Sequence, residues 1–182
     1  GLSGNALVLS GAEESYVDAG QAFAFEAGSG FSVAVWVRPE AAGAIFGKSG
    51  SADSPWDVYF QILGDRKLQL NVLLAGSDEA VRIRTKYQIP LNEWTHLAIT
   101  DDGTADAKGI LLFVNGIKVK LVSEIYKPDG AVVGDGTLKL GFPRSGAHLK
   151  GRLTDFRIYD AALSANEIDE LMRGTLSALL PE

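Results

Sequence analysis

Cysteine is absent from all 182 residues. Disulfides, thiolate metal sites and cysteine nucleophiles are excluded with it, while the compartment stays open. Histidine occurs only as His96 and His148, too few for a zinc site built on three or four N or S ligands. Positive charge is also short. Seventeen Lys and Arg against 23 Asp and Glu leave a net charge of −6, which argues against nucleic acid or anionic lipid as the main partner. No apolar run reaches the roughly 18–20 residues of a membrane span, so membrane insertion is not expected. No block of like charges forms a tail. Gly28-Ser29-Gly30 lacks the Gly-Lys-Ser/Thr that follows in a phosphate loop. No leader is visible. The chain opens Gly1-Leu2-Ser3-Gly4 and enters a strand almost at once, which reads as a piece of a longer protein.

What is present is strand patterning. With 46% hydrophobic and 22% charged residues, the composition is globular and the length suits one domain. Runs rich in Val, Ile, Leu, Phe and Tyr, bounded by Gly, Asp, Asn and Ser, predict strands near 5–10, 15–18, 31–38, 44–48, 57–63, 67–74, 81–87, 94–101, 109–115, 117–121, 137–141 and 148–159. Such a series without βα alternation means an all-β sandwich or barrel. Asn115-Gly116 is a two-residue hairpin signal, and Pro39 ends the third strand because it cannot donate to a ladder. One helix is expected over 164–173. Ser164 is its cap, Glu167 the capping-box partner, Ile168, Leu171 and Met172 its apolar face, and Gly174 its stop. The domain is therefore drawn over 1–174, with 175–182 as a tail or the start of a linker.

Four segments carry a resemblance. They are Gly4-Asn5-Ala6-Leu7-Val8-Leu9 with Ser15-Tyr16-Val17, then Phe31-Ser32-Val33-Ala34-Val35-Trp36-Val37-Arg38-Pro39. Glu93-Trp94-Thr95-His96-Leu97-Ala98 follows, with Asp102-Gly103-Thr104 and Leu112-Phe113-Val114-Asn115-Gly116. The last is Gly141-Phe142, Leu149 through Tyr159, Ala162-Leu163-Ser164 and Glu167-Ile168. In this order they resemble the laminin G-like jelly roll of the concanavalin A-like lectin/glucanase superfamily. The resemblance implies two facing antiparallel sheets, one concave and one convex, with ligands on the concave face or its rim. It leaves function open, because the fold hosts lectins, adhesion modules, accessory modules and hydrolases.

Hydrolases resembling this fold carry paired carboxylates at alternate positions of one strand, flanking the scissile bond. The nearest look-alike is Glu167-Ile168-Asp169-Glu170, which falls in the expected helix, where Glu167 has a capping role. No core strand offers such a pair. His96 fits a packed, hydrogen-bonded residue better than a general base, and His148 is expected to be exposed. Trp36 and Trp94 occupy family positions inside strands and are read as packing residues. No enzyme is expected.

The segment 57–87 is the candidate binding face. Val58, Phe60 and Ile62, then Leu68, Leu70 and Val72, then Val81, Ile83 and Thr85 alternate with polar residues and should face the core. The short turn at 64–66 sets Gln61 opposite Gln69 and Tyr59 opposite Asn71. Keeping apolar residues on one face then sets Asn71 opposite Arg84 and Leu73 opposite Arg82, with Gln61, Gln69 and Lys86 alongside. The candidate ligand-binding residues are Trp56, Asp57, Tyr59, Gln61, Asn71, Arg82 and Arg84. Amides and guanidinium groups suit a polar glycan, and a Tyr ring can meet a sugar's C–H groups. Two arginines favour an acidic one. An antiparallel sheet with one solvated face also alternates in this way without any ligand.

Proteins resembling this fold often hold one structural calcium ion at the sandwich edge. The resemblance places a carboxylate ligand at Asp155, with Glu14 near the corresponding N-terminal turn. An ion pair of Asp155 with Arg157 or Arg38 is the equal alternative. The expected function is a non-catalytic carbohydrate-binding or adhesion module of a larger secreted, periplasmic or cell-surface protein, with a polysaccharide or glycan as partner. The alternative is a protein-interaction or spacer domain that binds no glycan.

Overall fold

A computed structural model describes residues 5–21, 29–48, 56–74, 80–104, 107–126, 136–143 and 146–179; at 56–57, 72–74, 80, 107, 123–126 and 175–179 the description is of backbone alone. Among the described residues two antiparallel sheets face each other. The first holds β1 (Leu7–Ser10), β3 (Phe31–Pro39), β8 (Thr95–Asp101), β9 (Ile110–Val114), β10 (Ile117–Lys118) and β13 (Lys150–Tyr159). Their spatial order is β1-β13-β3-β8-β9-β10. The second holds β2 (Val17–Asp18), β4 (Gly43–Lys48), β5 (Trp56–Ile62), β6 (Lys67–Leu74), β7 (Ala80–Gln88), β11 (Leu121–Tyr126) and β12 (Leu138–Leu140). Its order is β11-β7-β6-β5-β4-β12-β2. This is the jelly-roll sandwich expected.

Side-chain alternation builds the core. Val33, Val35, Val37, Leu97 and Ile99 point inward from the first sheet and meet Val58, Phe60, Ile62, Leu68 and Leu70 from the second. The segment expected as one strand over 117–121 divides instead. Its start pairs with β9 in the first sheet, and its continuation, β11, pairs with β7 in the second.

β3 and β8 read as nearly unbroken apolar runs because both their faces are covered. Helix α1 (Ala165–Leu179) lies on the outside of the first sheet. Its Ile168 is fully buried against Ala34, Ala98 and Phe113. Ser32 fastens the chain ahead of the helix. Its Oγ donates to Ala161 O at 2.7 Å and accepts from Leu163 N–H at 2.8 Å. The capping box forms as expected: Ser164 N–H donates to Glu167 Oε2 at 2.7 Å, and Glu167 N–H to Ser164 Oγ at 3.3 Å. The helix end differs from the expected 164–173, since it runs through Gly174 to Leu179. A glycine ends a helix only where the backbone turns left-handed, and Gly174 is not among the positive-φ glycines.

His96 sits on this covered face, 5.2 Å ring to ring from Trp36 and 1% exposed. Its Nδ1 has no hydrogen-bond partner among the described residues, so the packing expected there holds while the hydrogen bond at Nδ1 does not. Burial pushes its pKa down to about 4; the nearby Asp155 charge opposes this and Arg157 adds to it. The folded imidazole therefore stays neutral as pH falls from about 6.5, while the unfolded chain takes up the proton. Its contribution is fully present above about pH 6.5 and is lost on acidification toward pH 4, by up to about 3 kcal/mol. Urea unfolding at pH 7 and 4.5 should show the parent losing about 2 kcal/mol more than a His96→Gln variant. Equal losses would contradict this account.

Candidate functional site

The candidate face is the outside of the seven-stranded sheet, on the side away from the helix. Its centre is the β5–β6 hairpin. Arg66 takes a left-handed conformation (φ 63°) in the connecting turn, and Arg66 N–H donates to Leu63 O at 2.8 Å. The turn fixes the pairs Gln61 with Gln69 and Tyr59 with Asn71, as expected.

The next strand departs from expectation. Asn71 pairs with Arg82, not Arg84, and Gln69 pairs with Arg84. The inward and outward faces are as read, but the register differs by two residues. The reason is a bulge in β7: two steps along β6, from Gln69 to Lys67, oppose four along β7, from Arg84 to Gln88. Thr85 makes the bulge possible. Its buried Oγ1 accepts from Leu68 N–H at 3.0 Å and donates to Tyr87 O at 2.7 Å, replacing the missing ladder bonds. An even slip keeps every side chain on its own face, so hydrophobic alternation cannot detect it.

This register assembles a polar row. Gln61 Nε2 donates to Gln69 Oε1 at 2.8 Å, Asn71 Nδ2 donates to the same oxygen at 3.3 Å, and Arg82 Nε donates to Asn71 Oδ1 at 3.0 Å. The depths differ. Asn71 is 1% exposed and Tyr59 8%, whereas Gln61, Arg82 and Arg84 are half-buried. Asn71 thus works from below, holding the guanidinium of Arg82 in place, and the Tyr59 ring is enclosed. Because Arg82 uses Nε for Asn71, that bond does not consume its two Nη groups. Trp56 and Asp57 lie within β5, and their side chains fall outside the described residues.

The row continues beyond the residues singled out in the sequence. Tyr59 pairs with Gly47, which pairs with Lys139 of β12. Lys139 Nζ lies 4.6 Å from the centre of the Phe142 ring and 5.2 Å from that of Tyr16. His148, expected to be exposed, is half-buried, with its ring 5.1 Å from Phe142. A Cβ on Gly47 would stand 3.2 Å from Phe142 O, so the glycine lets that backbone pass over the strand. These residues come from three distant parts of the chain, and no local pattern links them.

The metal expectation does not fit. Asp155 adopts φ 52° at the β13 bulge and accepts from Arg157 Nε at 2.6 Å, which is the ion-pair alternative. Glu14 is exposed beyond the end of β1 where Ser10 pairs with Lys150, whereas Asp155 lies past the opposite end, where Leu7 pairs with Leu153. Roughly five strand residues separate the two, on the order of 15 Å. Among the described residues no three His, Asp or Glu side chains converge on one point.

The comparisons agree with this architecture. Residues 10–169 match the model of the concanavalin A-like lectin/glucanases superfamily, laminin G-like branch. The chain belongs to that superfamily. Human usherin is 26% identical over 153 residues, covering 82% of this chain, and the chain spans only 3% of usherin's length. Among solved structures, domain 4 of the extracellular arabinanase AbnA from Geobacillus stearothermophilus, solved with arabinotriose, superposes with a TM-score of 0.72 at 23% identity; 94% of this chain and 78% of that one are covered. The heptameric SAP-like pentraxin of Limulus polyphemus gives 0.61 at 17% identity, covering 91% and 80%. The binding domain of botulinum neurotoxin serotype G gives 0.69 at 18%, covering 91% and 41%. At these identities the structural likeness is one of fold. No helix of the described residues is long and apolar enough to cross a membrane.

A Thr85→Val substitution tests the bulge. It strips both bonds from a buried position and should destabilise the domain by about 1–3 kcal/mol. Denaturant unfolding checks the value, and unchanged stability would contradict the bridging role.

Proposed function

We propose that this domain is a non-catalytic carbohydrate-binding module of a larger exported or cell-surface protein. It holds an oligosaccharide across the strands on the outside of the seven-stranded sheet. The observation carrying this reading is the row Gln61–Gln69–Asn71–Arg82, in which buried amides orient a guanidinium at the surface. Preset donors and acceptors lose little freedom on meeting sugar hydroxyls, which favours binding. Adjacent strands lie about 4.8 Å apart, so a saccharide running along the row meets a new side chain at each strand. Arg84 flanks the row. The fold neighbour solved with arabinotriose supports a saccharide occupant.

The carboxylates nearest to a hydrolase pair have other work. Glu167 closes the capping box, and Asp169 accepts from Arg173 Nε at 2.7 Å. That supports a binding role without bond cleavage. No part of this reading runs through calcium.

A glycan array of the purified domain, run with calcium and with chelator, tests it. One glycan class should bind under both conditions, and Arg82→Ala, still folded by circular dichroism though less stable because Asn71 loses its partner, should weaken it by about tenfold or more. Binding to nothing on the array would transfer the domain to the protein-interaction or spacer reading.

A further inference from the structure

Beside the amide row lies a second feature that the row does not use. On its β6 side β7 carries the two-residue bulge between Arg84 and Gln88, while on its other side Leu121 and Val122 of β11 stay paired with Thr85 and Arg84. Where β6 and β7 part, a cleft of about 410 Å³ opens, lined by Lys67, Arg84, Thr85, Lys86 and Val122. Bulges re-aim side chains and interrupt pairing, and they recur beside binding sites for that reason.

The chemistry of the lining is one-sided. It carries three cationic side chains and, among the described residues, no carboxylate, in a chain whose net charge is −6. Asp65, in the adjoining turn, accepts from Lys67 Nζ at 2.8 Å and also feels the charge of Arg84, so one carboxylate beside three cations still leaves the cleft net positive. Val122, 39% exposed, adds an apolar wall. Arg84 is the cross-strand partner of Gln69, the residue on which the amide row converges, so cleft and row form one continuous surface.

We propose that this cleft is a subsite for the carboxylate of a uronic acid unit, within an oligosaccharide held on the neighbouring amide row. The inference rests on the glycan reading above and adds the ligand's charge. A planar carboxylate matches the fork of a guanidinium, the lysines complete the positive field, and Val122 offers the sugar ring an apolar contact that a bare inorganic anion would not use.

Calorimetric titration with hexagalacturonate, neutral arabinohexaose and a heparin hexasaccharide, at low and high salt, tests it. Hexagalacturonate should bind about tenfold or more tightly than arabinohexaose at low salt, with the advantage shrinking at high salt. Arg84→Gln with Lys86→Gln should erase the preference. Lys86→Gln alone, at an exposed position that the fold does not need, should reduce it and guards against misfolding of the double variant. Equal affinity for the acidic and neutral hexasaccharides would overturn the subsite while leaving the glycan reading intact. Binding of heparin alone would overturn it in favour of a sulfate site. Binding of none of the three would overturn it together with the glycan reading.

Discussion

The architecture of the candidate face depends on one hydroxyl group. Thr85 Oγ1 stands where two ladder bonds would otherwise be, and it lets β7 carry two extra residues against β6. Beyond the bulge the strands pair regularly again, but with Arg82 beside Asn71 and Arg84 beside Gln69. A register without the bulge would set each arginine two residue pairs further from the hairpin turn, and the buried Asn71 would face Arg84 instead of Arg82. The turn at Leu63–Lys67 holds the other side. Gln88 Nε2 donates to Asp65 O at 2.9 Å and Arg66 Nη2 to Gln88 Oε1 at 3.2 Å, which ties that turn to the strand leaving the bulge.

The two sheets divide their tasks by what covers them. The outside of the first sheet is sealed by α1, whose Ile168 makes Ala34, Ala98 and Phe113 a second small core. That sealing explains why His96 is neutral and buried there, and why β3 carries apolar residues at successive positions. The outside of the second sheet instead carries amides, arginines and lysines across β5 to β7. Burying a polar group without a partner costs far more than its hydrogen bond returns. The amides of Gln69 and Asn71 meet that demand by bonding to each other and to Arg82. The cost of holding Arg82 in place is thus met by the protein itself before any ligand arrives.

Much of this was legible in the sequence, and the exceptions have physical reasons. Alternation at 57–63, 67–74 and 81–86 assigned the described side chains of those strands to their correct faces, since a face assignment needs only odd or even position, and it fails at Tyr87, which the bulge leaves exposed. The β5–β6 pairs were readable because a short turn leaves little freedom in register. The β6–β7 register was not, because Thr85 looks like one more core position in a Val81, Ile83, Thr85 series. Its role as a substitute for backbone bonds appears only in three dimensions. The capping box at Ser164 and Glu167 was local and therefore visible, but Gly174 carries a helix stop in sequence that its backbone does not make. The contact of Lys139 with Tyr16 and Phe142 joins remote segments, so no spacing rule could reveal it. Asp155 was balanced between metal ligand and ion pair, and only the position of Arg157 and the distance to Glu14 separate the two.

The proposed ligand surface is the outer face of the second sheet, ordered by the Thr85 bulge. The most direct measurement is NMR mapping of the side-chain amides and arginine Nε groups during titration with a saccharide that binds. The account predicts that Gln61, Gln69 and Asn71 amide signals and the Arg82 and Arg84 Nε–H signals shift together, with one saturation curve. Shifts confined to the helix-covered sheet, or to the ends of the sandwich, with those signals unmoved, would contradict it.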